Sequence, residues 1–288
     1  MKAKNLKFIA IIAIVLLAGF SLSCVSFSRG SLFNILIKSA PAFIKAFEDI
    51  TPEQEYYIGR AVGANILGMY RIYDRDRELT LYLNKICRAI TVNSQRPDIY
   101  NGYHLAILDS DEINAFATSG GHIFVTRGLI ACAESEDALA GVIAHEVAHI
   151  QLQHGLKAIK NARMNQALIQ TGSAAVSEAL PLGELTNIFT ESIGEVINTM
   201  VISGYSQTQE FEADVTAITL MAAAGYDPAG LMVMLRTLEK NYNPSGSGFG
   251  KTHPGPVQRI ANVEKTLSSY KSDNSGQYRQ ARYSAIVK

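Results

Sequence analysis

The sequence predicts an α-rich α+β fold in which a short β-hairpin lies beside a buried helix. Residues 136–153 carry apolar side chains on more than one face of a helix, as expected of a helix that runs through a core. Short alternating or β-branched runs at 114–117 and 122–126 flank a turn that contains Gly120 and Gly121, which is typical of a hairpin. Most of the remaining chain is predicted to be helical.

The first residues predict a secretory signal peptide over residues 1–23. Three lysines precede an apolar stretch at 8–20, which is shorter than the about 20 apolar residues of a transmembrane helix. Cys24 then predicts a lipoprotein that is anchored to a membrane through this cysteine, although leucine stands one place nearer to it than in the usual lipobox. Cleavage by the general signal peptidase and retention as a signal anchor are the alternatives.

The rest of the chain is long enough for one sizeable domain, predicted at 51–270. Segment 24–50 is predicted to be a linker with an amphipathic piece. The polar tail at 271–288 is expected to be loosely ordered unless its few apolar side chains dock. The apolar segment 167–205 is expected to form core helices, with a mobile cover that contacts membrane or unfolded clients as the alternative. Helices are also predicted within 52–73 and 77–94.

Charge and cysteine content exclude some kinds of site. The 26 lysine and arginine residues balance the 26 aspartate and glutamate residues, so the charge gives no support for a nucleic-acid partner. Cys87 and Cys132 lie in apolar surroundings typical of buried free thiols, and a disulfide between them is the alternative. Neither cysteine has the neighbours expected of a metal ligand.

The most informative motif is H-E-x-x-H within the predicted core helix, with His145, Glu146 and His149. Two histidines four positions apart project from the same face of a helix and can bind one metal ion. Glu146 lies beside the first histidine, where it can take a proton from the attacking water, and this combination is typical of zinc hydrolases. Ser135 is a suitable N-cap for the helix, and two acidic residues follow it.

A catalytic zinc usually has three protein ligands and one open position. Glu210, at the start of a second helical run, is the candidate for the third ligand. Asp214 shares its face and is placed to accept the N–H of a ligand histidine. Glu212 is expected to point away as a solvated charge. His154, five positions after His149, cannot reach the same ion from that helix and is expected to be a helix-end histidine or one that contacts a ligand.

These two motifs together resemble those of the HtpX-like and CAAX-prenyl-protease-like zinc metallopeptidases, which are peptidase family M48, a gluzincin group. The resemblance extends over about residues 51–268, and the small envelope lipoprotein peptidases of the family are the most similar. Further similar stretches, in the order of the family, are 51–55, 59–60, 109–117, 120–129, 252–254 and 259–260.

The resemblance implies a zincin-like metallopeptidase domain with one Zn²⁺ per chain, held by His145, His149 and Glu210. It also implies an endopeptidase on the periplasmic side of the envelope, anchored to the outer membrane, that cleaves misfolded or misassembled membrane-associated proteins. A non-proteolytic assembly factor or chaperone with a latent site is the alternative. An intramembrane prenyl-protein protease is a weaker alternative, because it would need several hydrophobic spans.

The predicted hairpin would give a peptide substrate a place to lie. An extended peptide can add to a strand edge beside the metal through main-chain hydrogen bonds, which provide affinity without sequence specificity. The candidate substrate-binding residues are therefore Asn114, Ala115, Phe116 and Ala117. A purely structural hairpin is the alternative.

His253 lies in a loop rich in glycine, serine and proline at 243–256. The resemblance implies that this loop reaches the active site. There His253 would either act in catalysis by stabilising the developing oxyanion or occupy the open zinc position in a latent form, and an inert loop histidine is the third alternative. Arg259 is expected to orient a carboxylate or to brace the helix that follows the loop.

Overall fold

The computed structural model describes residues 49–161, 164, 194, 197, 204–241, 248–253, 255–270 and 276–287. The predicted signal peptide, Cys24 and most of the linker lie outside these residues. Most of the apolar segment 167–205 also lies outside them, so both alternatives for that segment stay predictions.

Helices surround a small sheet, as the α-rich α+β prediction requires. None of the helices in the described part of the chain is both long and apolar enough to cross a membrane. The elements are α1 (Pro52–Met69), α2 (Arg77–Thr91), β1 (His104–Leu108), β2 (Ala115–Thr118), β3 (His122–Thr126), α3 (Arg127–Cys132), α4 (Glu136–Gln151), α5 (Gln207–Ala223), α6 (Ala229–Lys240), α7 (Phe249–Thr252), α8 (Pro256–Leu267) and α9 (Gly276–Ile286).

The predicted hairpin is present and belongs to a three-stranded sheet. Strands β2 and β3 pair antiparallel, with Phe116 opposite Phe124, and the turn between them contains Gly120 at φ 86° and Gly121 at φ 96°, which favour glycine. Strand β1 pairs in parallel with β3, so β3 lies in the centre and β2 at an edge. The sequence does not indicate β1, because five residues carry too little periodic signal.

Helix α4 runs through the core, as its apolar residues predict. Every residue from Ala138 to Ile150 is buried. Helices α2, α5 and α6 pack against it, and strand β2 contacts it as well. Because neighbours surround it, the helix is a rigid support for the side chains that it carries.

The start of α4 is fixed by its cap and by buried polar contacts. The Ser135 hydroxyl accepts a hydrogen bond from the backbone N–H of Ala138 at 3.1 Å, as the predicted cap requires. The buried carboxylate of Glu136 accepts a hydrogen bond from the Tyr82 hydroxyl at 2.8 Å and forms an ion pair with Arg282 of α9. These contacts satisfy a carboxylate that would be costly to bury alone.

The predicted polar tail is partly a docked helix. Tyr283 and Ile286 of α9 pack against the core, whereas Tyr278 is 69% exposed. The guanidinium of Arg279 lies 2.7 Å from the carboxylate of Asp137, in the first turn of α4. The tail therefore docks through apolar side chains over residues 276–286, as the alternative prediction states. Through its ion pairs, α9 also holds the start of the helix that carries the H-E-x-x-H motif.

The two cysteines in the described residues are free. Burial raises the pKa of Cys87 to about 12 and that of Cys132 to about 11. Thiols of such high pKa are poor nucleophiles. The structure has both cysteines free, as predicted, and does not join them in the alternative disulfide.

Gly59 of α1 allows the helix to approach the hairpin turn. A Cβ atom at Gly59 would lie 1.3 Å from the carbonyl oxygen of Ser119, whereas one at Gly68 of the same helix would meet no atom within 4 Å. We expect Gly59→Ala to lower the free energy of unfolding by about 1–3 kcal/mol through overpacking. The control Gly68→Ala should raise it by about 0.5–1 kcal/mol, because alanine favours helix. Urea unfolding measures both changes, and equal effects would contradict the close approach.

Candidate metal centre

Helix α4 places His145 and His149 one turn apart on the same face. Both side chains are buried, and their Nε2 atoms lie 3.1 Å apart. The ring of His149 also stacks on the ring of Tyr205, with centroids 4.0 Å apart and planes inclined by 19°. Burial and stacking thus restrict the orientation of these imidazoles.

Helix α5 brings Glu210 to the two histidines. The hydroxyl of Ser206 accepts a hydrogen bond from the N–H of Gln209, whose side chain accepts one from the N–H of Ser206, and this capping box starts the helix one turn before the predicted run. Glu210 therefore lies in the first turn. Its Oε2 is 3.4 Å from Nε2 of His145, and its Oε1 is 3.5 Å from Nε2 of His149.

Arg259 of α8 connects the carboxylates of the site. Its guanidinium donates hydrogen bonds to both Asp214 oxygens at 2.7 and 2.9 Å, and it lies 2.9 Å from Oε2 of Glu210. Oδ1 of Asp214 lies 3.0 Å from Nδ1 of His145. Of the two roles that the sequence leaves open for Arg259, its contacts support the orientation of carboxylates.

The surrounding positive charges keep both carboxylates ionised. Burial would raise the pKa of Glu210, but His253 and Arg259 outweigh it and hold that pKa well below its ordinary value. Burial also opposes ionisation of Asp214, and Arg259 again lowers the pKa below its ordinary value. Two anionic carboxylates therefore face the histidines, although both are fully buried.

Each helical histidine can offer a nitrogen lone pair to a metal ion. Burial and Arg259 disfavour protonation of His145, but hydrogen bonds to Asp214 and Glu210 outweigh them and raise its pKa to about 9. Burial lowers the pKa of His149 well below its ordinary value. A bound cation replaces the proton of a ligand histidine, so His145 would donate its Nδ1–H to Asp214 and direct Nε2 toward the ion.

His253 lies within the same cluster. Its Nδ1 is 3.1 Å from Oε1 of Glu210 and 3.3 Å from Nε2 of His145. One ligand atom from each of His145, His149, Glu210 and His253 lies within 4.8 Å of the other three, and all four residues are buried. Three imidazoles and one carboxylate can hold a metal ion, and this placement does not favour the inert loop histidine.

A short strap, residues 248–253, holds this last histidine in place. The backbone N–H of Phe249 donates to the carbonyl oxygen of Ile113 at 2.8 Å, and the hydroxyl of Thr252 donates to Oδ1 of Asn114 at 3.1 Å. The ring of Phe249 stacks on the histidine ring, with centroids 4.3 Å apart and planes at 18°. The strap is thus anchored to the chain that leads into β2.

Glu146, the predicted general base, is buried beside the cluster and is not one of its four ligands. Its Oε1 lies 3.4 Å from Nε2 of His253. Burial raises the pKa of Glu146, and the charge of His253 opposes part of this effect. A carboxyl of raised pKa is suited to proton transfer near neutral pH.

The predicted substrate-binding residues Asn114, Ala115, Phe116 and Ala117 are at most 5% exposed. Oδ1 of Asn114 accepts hydrogen bonds from the N–H of Ala115 and from Thr252 of the strap. Strand β2 lies at the edge of the sheet, but the structure does not present it to solvent. A peptide could pair with this edge only after displacing what covers it.

His154 contacts the predicted ligand His149, which is one of the two roles predicted for it, whereas the contact between Glu212 and His154 was not predicted. Helix α4 ends at Gln151, Gln153 has a φ of 56°, and a further helical run begins at His154. The ring of His154 therefore turns back toward His149. Glu212 is exposed, as predicted for a solvated charge, but its Oε2 also lies 3.2 Å from Nε2 of His154. No sequence signal marks the left-handed turn that creates these contacts.

Comparison with known proteins identifies a peptidase family. The family model described as Peptidase family M48 matches residues 75–267. The chain is 25% identical over 227 residues to the mitochondrial metalloendopeptidase OMA1 of Schizosaccharomyces pombe. The aligned region covers 77% of this chain and 64% of that protein. It is 27% identical over 196 residues to the beta-barrel assembly-enhancing protease of Escherichia coli, and this aligned region covers 65% of this chain and 39% of that protein.

The metalloprotease LoiP of Escherichia coli is 28% identical over 158 residues, which are 55% of this chain and 60% of that protein. The chain therefore spans less than two thirds of the length of each of these relatives. All three relatives are named as proteases or endopeptidases.

Proposed function

Since the chain belongs to peptidase family M48, we propose that it is a zinc-dependent endopeptidase. The observation that carries this proposal is the convergence of His145, His149 and Glu210, with the buried carboxylate of Glu146 beside this cluster and not part of it. Two helices distant in the chain supply these residues, and their burial gives the site fixed geometry.

The spacing of the ligand atoms supports zinc as the metal. Tetrahedral ligands at the usual zinc distances of about 2.0–2.1 Å lie about 3.3 Å from one another. In the cluster of His145, His149, Glu210 and His253, five contacts measure 3.1 to 3.5 Å, with His145 near Oε2 of Glu210 and the other two histidines near its Oε1, and one ligand atom from each residue lies within 4.8 Å of the others. Calcium and magnesium prefer oxygen ligands, so a set with three imidazoles favours zinc.

In the proposed reaction, Glu146 moves the proton. A zinc ion held by His145, His149 and Glu210 would supply Lewis-acid polarisation of the peptide carbonyl and of the attacking water. Glu146 accepts the proton of that water and then donates it to the leaving amine, so that hydrolysis consumes no net proton at this residue. Asp214 and Arg259 fix the orientation of His145 and Glu210 throughout.

The proposed clients are misfolded or misassembled membrane-associated proteins, which would make the protein a quality-control enzyme of the envelope. The predicted signal at 1–23 and lipidation at Cys24 support a position on the periplasmic side, anchored to the outer membrane. One relative is named for assembly of β-barrels, which also supports an envelope role.

A second candidate function is a latent or non-proteolytic assembly factor, and the position of His253 favours it. Catalytic zinc sites keep one position open for water, whereas four protein ligands close the site. Nδ1 of His253 lies where a fourth ligand would lie, and the strap holds it there. On this reading the closed form becomes a protease only when the strap moves.

The role of Glu146 is tested by Glu146→Gln. This variant should keep zinc, because Glu146 is not in the ligand cluster, and should lose cleavage of casein because an amide cannot accept the proton. Zinc content and casein digestion, with and without a chelator, measure the two properties. Appreciable cleavage by the variant would contradict the mechanism, and chelator-insensitive cleavage by the wild type would contradict the zinc enzyme.

The role of His253 is tested by His253→Ala. If the histidine closes the site, the variant should cleave casein faster than the wild type, because one ligand position becomes open. His122→Ala is the control, since His122 lies on β3 and is not part of the cluster. Unchanged activity would reject closure, and lost activity would instead support a catalytic role for His253.

Lipidation is tested on the mature protein purified from membranes. Mass spectrometry should find an N-terminus at Cys24 with the added mass of acyl chains. The control Cys24→Ala should lose this mass and leave the membrane fraction. An unmodified N-terminus near the same position would favour the general signal peptidase, and a retained leader would favour a signal anchor.

A further inference from the structure

A hydrogen-bonded chain connects His149 to the surface through His154 and Glu212. Nδ1 of His149 lies 2.8 Å from Nδ1 of His154, and Nε2 of His154 lies 3.2 Å from Oε2 of Glu212. The ring of His154 is 0% exposed, whereas the side chain of Glu212 is 48% exposed. A buried imidazole with a partner at each nitrogen has a defined orientation.

The chemistry of the contacts fixes where each proton lies, on the premise of the proposed metal function. Nε2 of His149 faces Nε2 of His145 and Oε1 of Glu210, so it must offer its lone pair to the ion. The proton of neutral His149 then lies on Nδ1 and is donated to Nδ1 of His154. His154 must therefore carry its own proton on Nε2, which it donates to the carboxylate of Glu212.

The two helical ligands thus have different outer partners. His145 donates directly to Asp214, a fully buried carboxylate whose charge Arg259 balances. His149 instead donates to a neutral imidazole, and the carboxylate that orients this imidazole reaches solvent.

We propose that His154 and Glu212 are positioning residues that hold His149 in the tautomer and orientation that metal binding requires. Groups that accept the outer N–H of a ligand histidine typically contribute 10- to 100-fold to metal affinity. Loss of Glu212 frees the ring of His154 to rotate or change tautomer, and His149 then loses a reliable acceptor. The metal should be bound less tightly although no ligand has changed.

Glu212 also lies near Lys157, with 3.8 Å between Oε2 and Nζ. Both side chains are about half exposed, and ion pairs between exposed side chains contribute little to stability. This second contact supplies a matched control. Lys157→Ala removes the ion pair of Glu212 and leaves the chain of hydrogen bonds intact.

The test is the zinc dissociation constant of the full-length variants, measured by competition with a chromophoric chelator. We expect Glu212→Ala to bind zinc about 10-fold more weakly than the wild type and His154→Leu up to about 100-fold more weakly. His154→Asn should recover part of this loss, because its Oδ1 can replace Nδ1 as the acceptor. Lys157→Ala should bind zinc as the wild type does.

A second readout separates positioning from a general effect on the fold. With cobalt in place of zinc, the visible absorption bands report the geometry of the ligands, and they should shift in Glu212→Ala and remain unchanged in Lys157→Ala. Zinc affinity within about threefold of the wild type in both Glu212→Ala and His154→Leu would overturn the inference while leaving the zinc enzyme intact. Equal losses in Glu212→Ala and Lys157→Ala would also overturn it. A wild type that binds no zinc would overturn both proposals.

Discussion

The arrangement of the site depends on one buried cation, Arg259. Two ionised carboxylates, Asp214 and Glu210, are fully buried, and such groups are tolerated only when they are paired and hydrogen-bonded. Arg259 contacts both, so it permits Glu210 to face the cluster and Asp214 to hold His145. Because Arg259 comes from α8, which packs against α5, the site exists only when helices that are distant in the chain have packed together.

One short segment connects the metal cluster with the chain that leads into the edge strand. The strap ends at His253 and holds it among the candidate ligands. Other residues of the strap are hydrogen-bonded to Ile113 and Asn114, which directly precede β2. Movement of this one segment would free both a ligand position and a backbone group beside the edge strand.

Much of the site was predictable because it follows from helix geometry. The spacing of His145 and His149, and that of Glu210 and Asp214, requires only 3.6 residues per turn and a cap for each helix. The hairpin was predictable from its glycine turn. Strand β1 and the docking of α9 were less so, because parallel pairing and the burial of a polar helix depend on partners elsewhere in the chain.

The sequence by itself determined the family resemblance, the candidate ligands on the two helices and Glu146 as the proposed general base, since these are local patterns. Only the tertiary structure decided that His253 lies in the cluster and that Arg259 pairs with the carboxylates. It also decided that His154 and Glu212 extend the site to the surface. The physical reason is that these contacts join residues through loops, and a loop leaves the direction of a side chain open until the core fixes both of its ends.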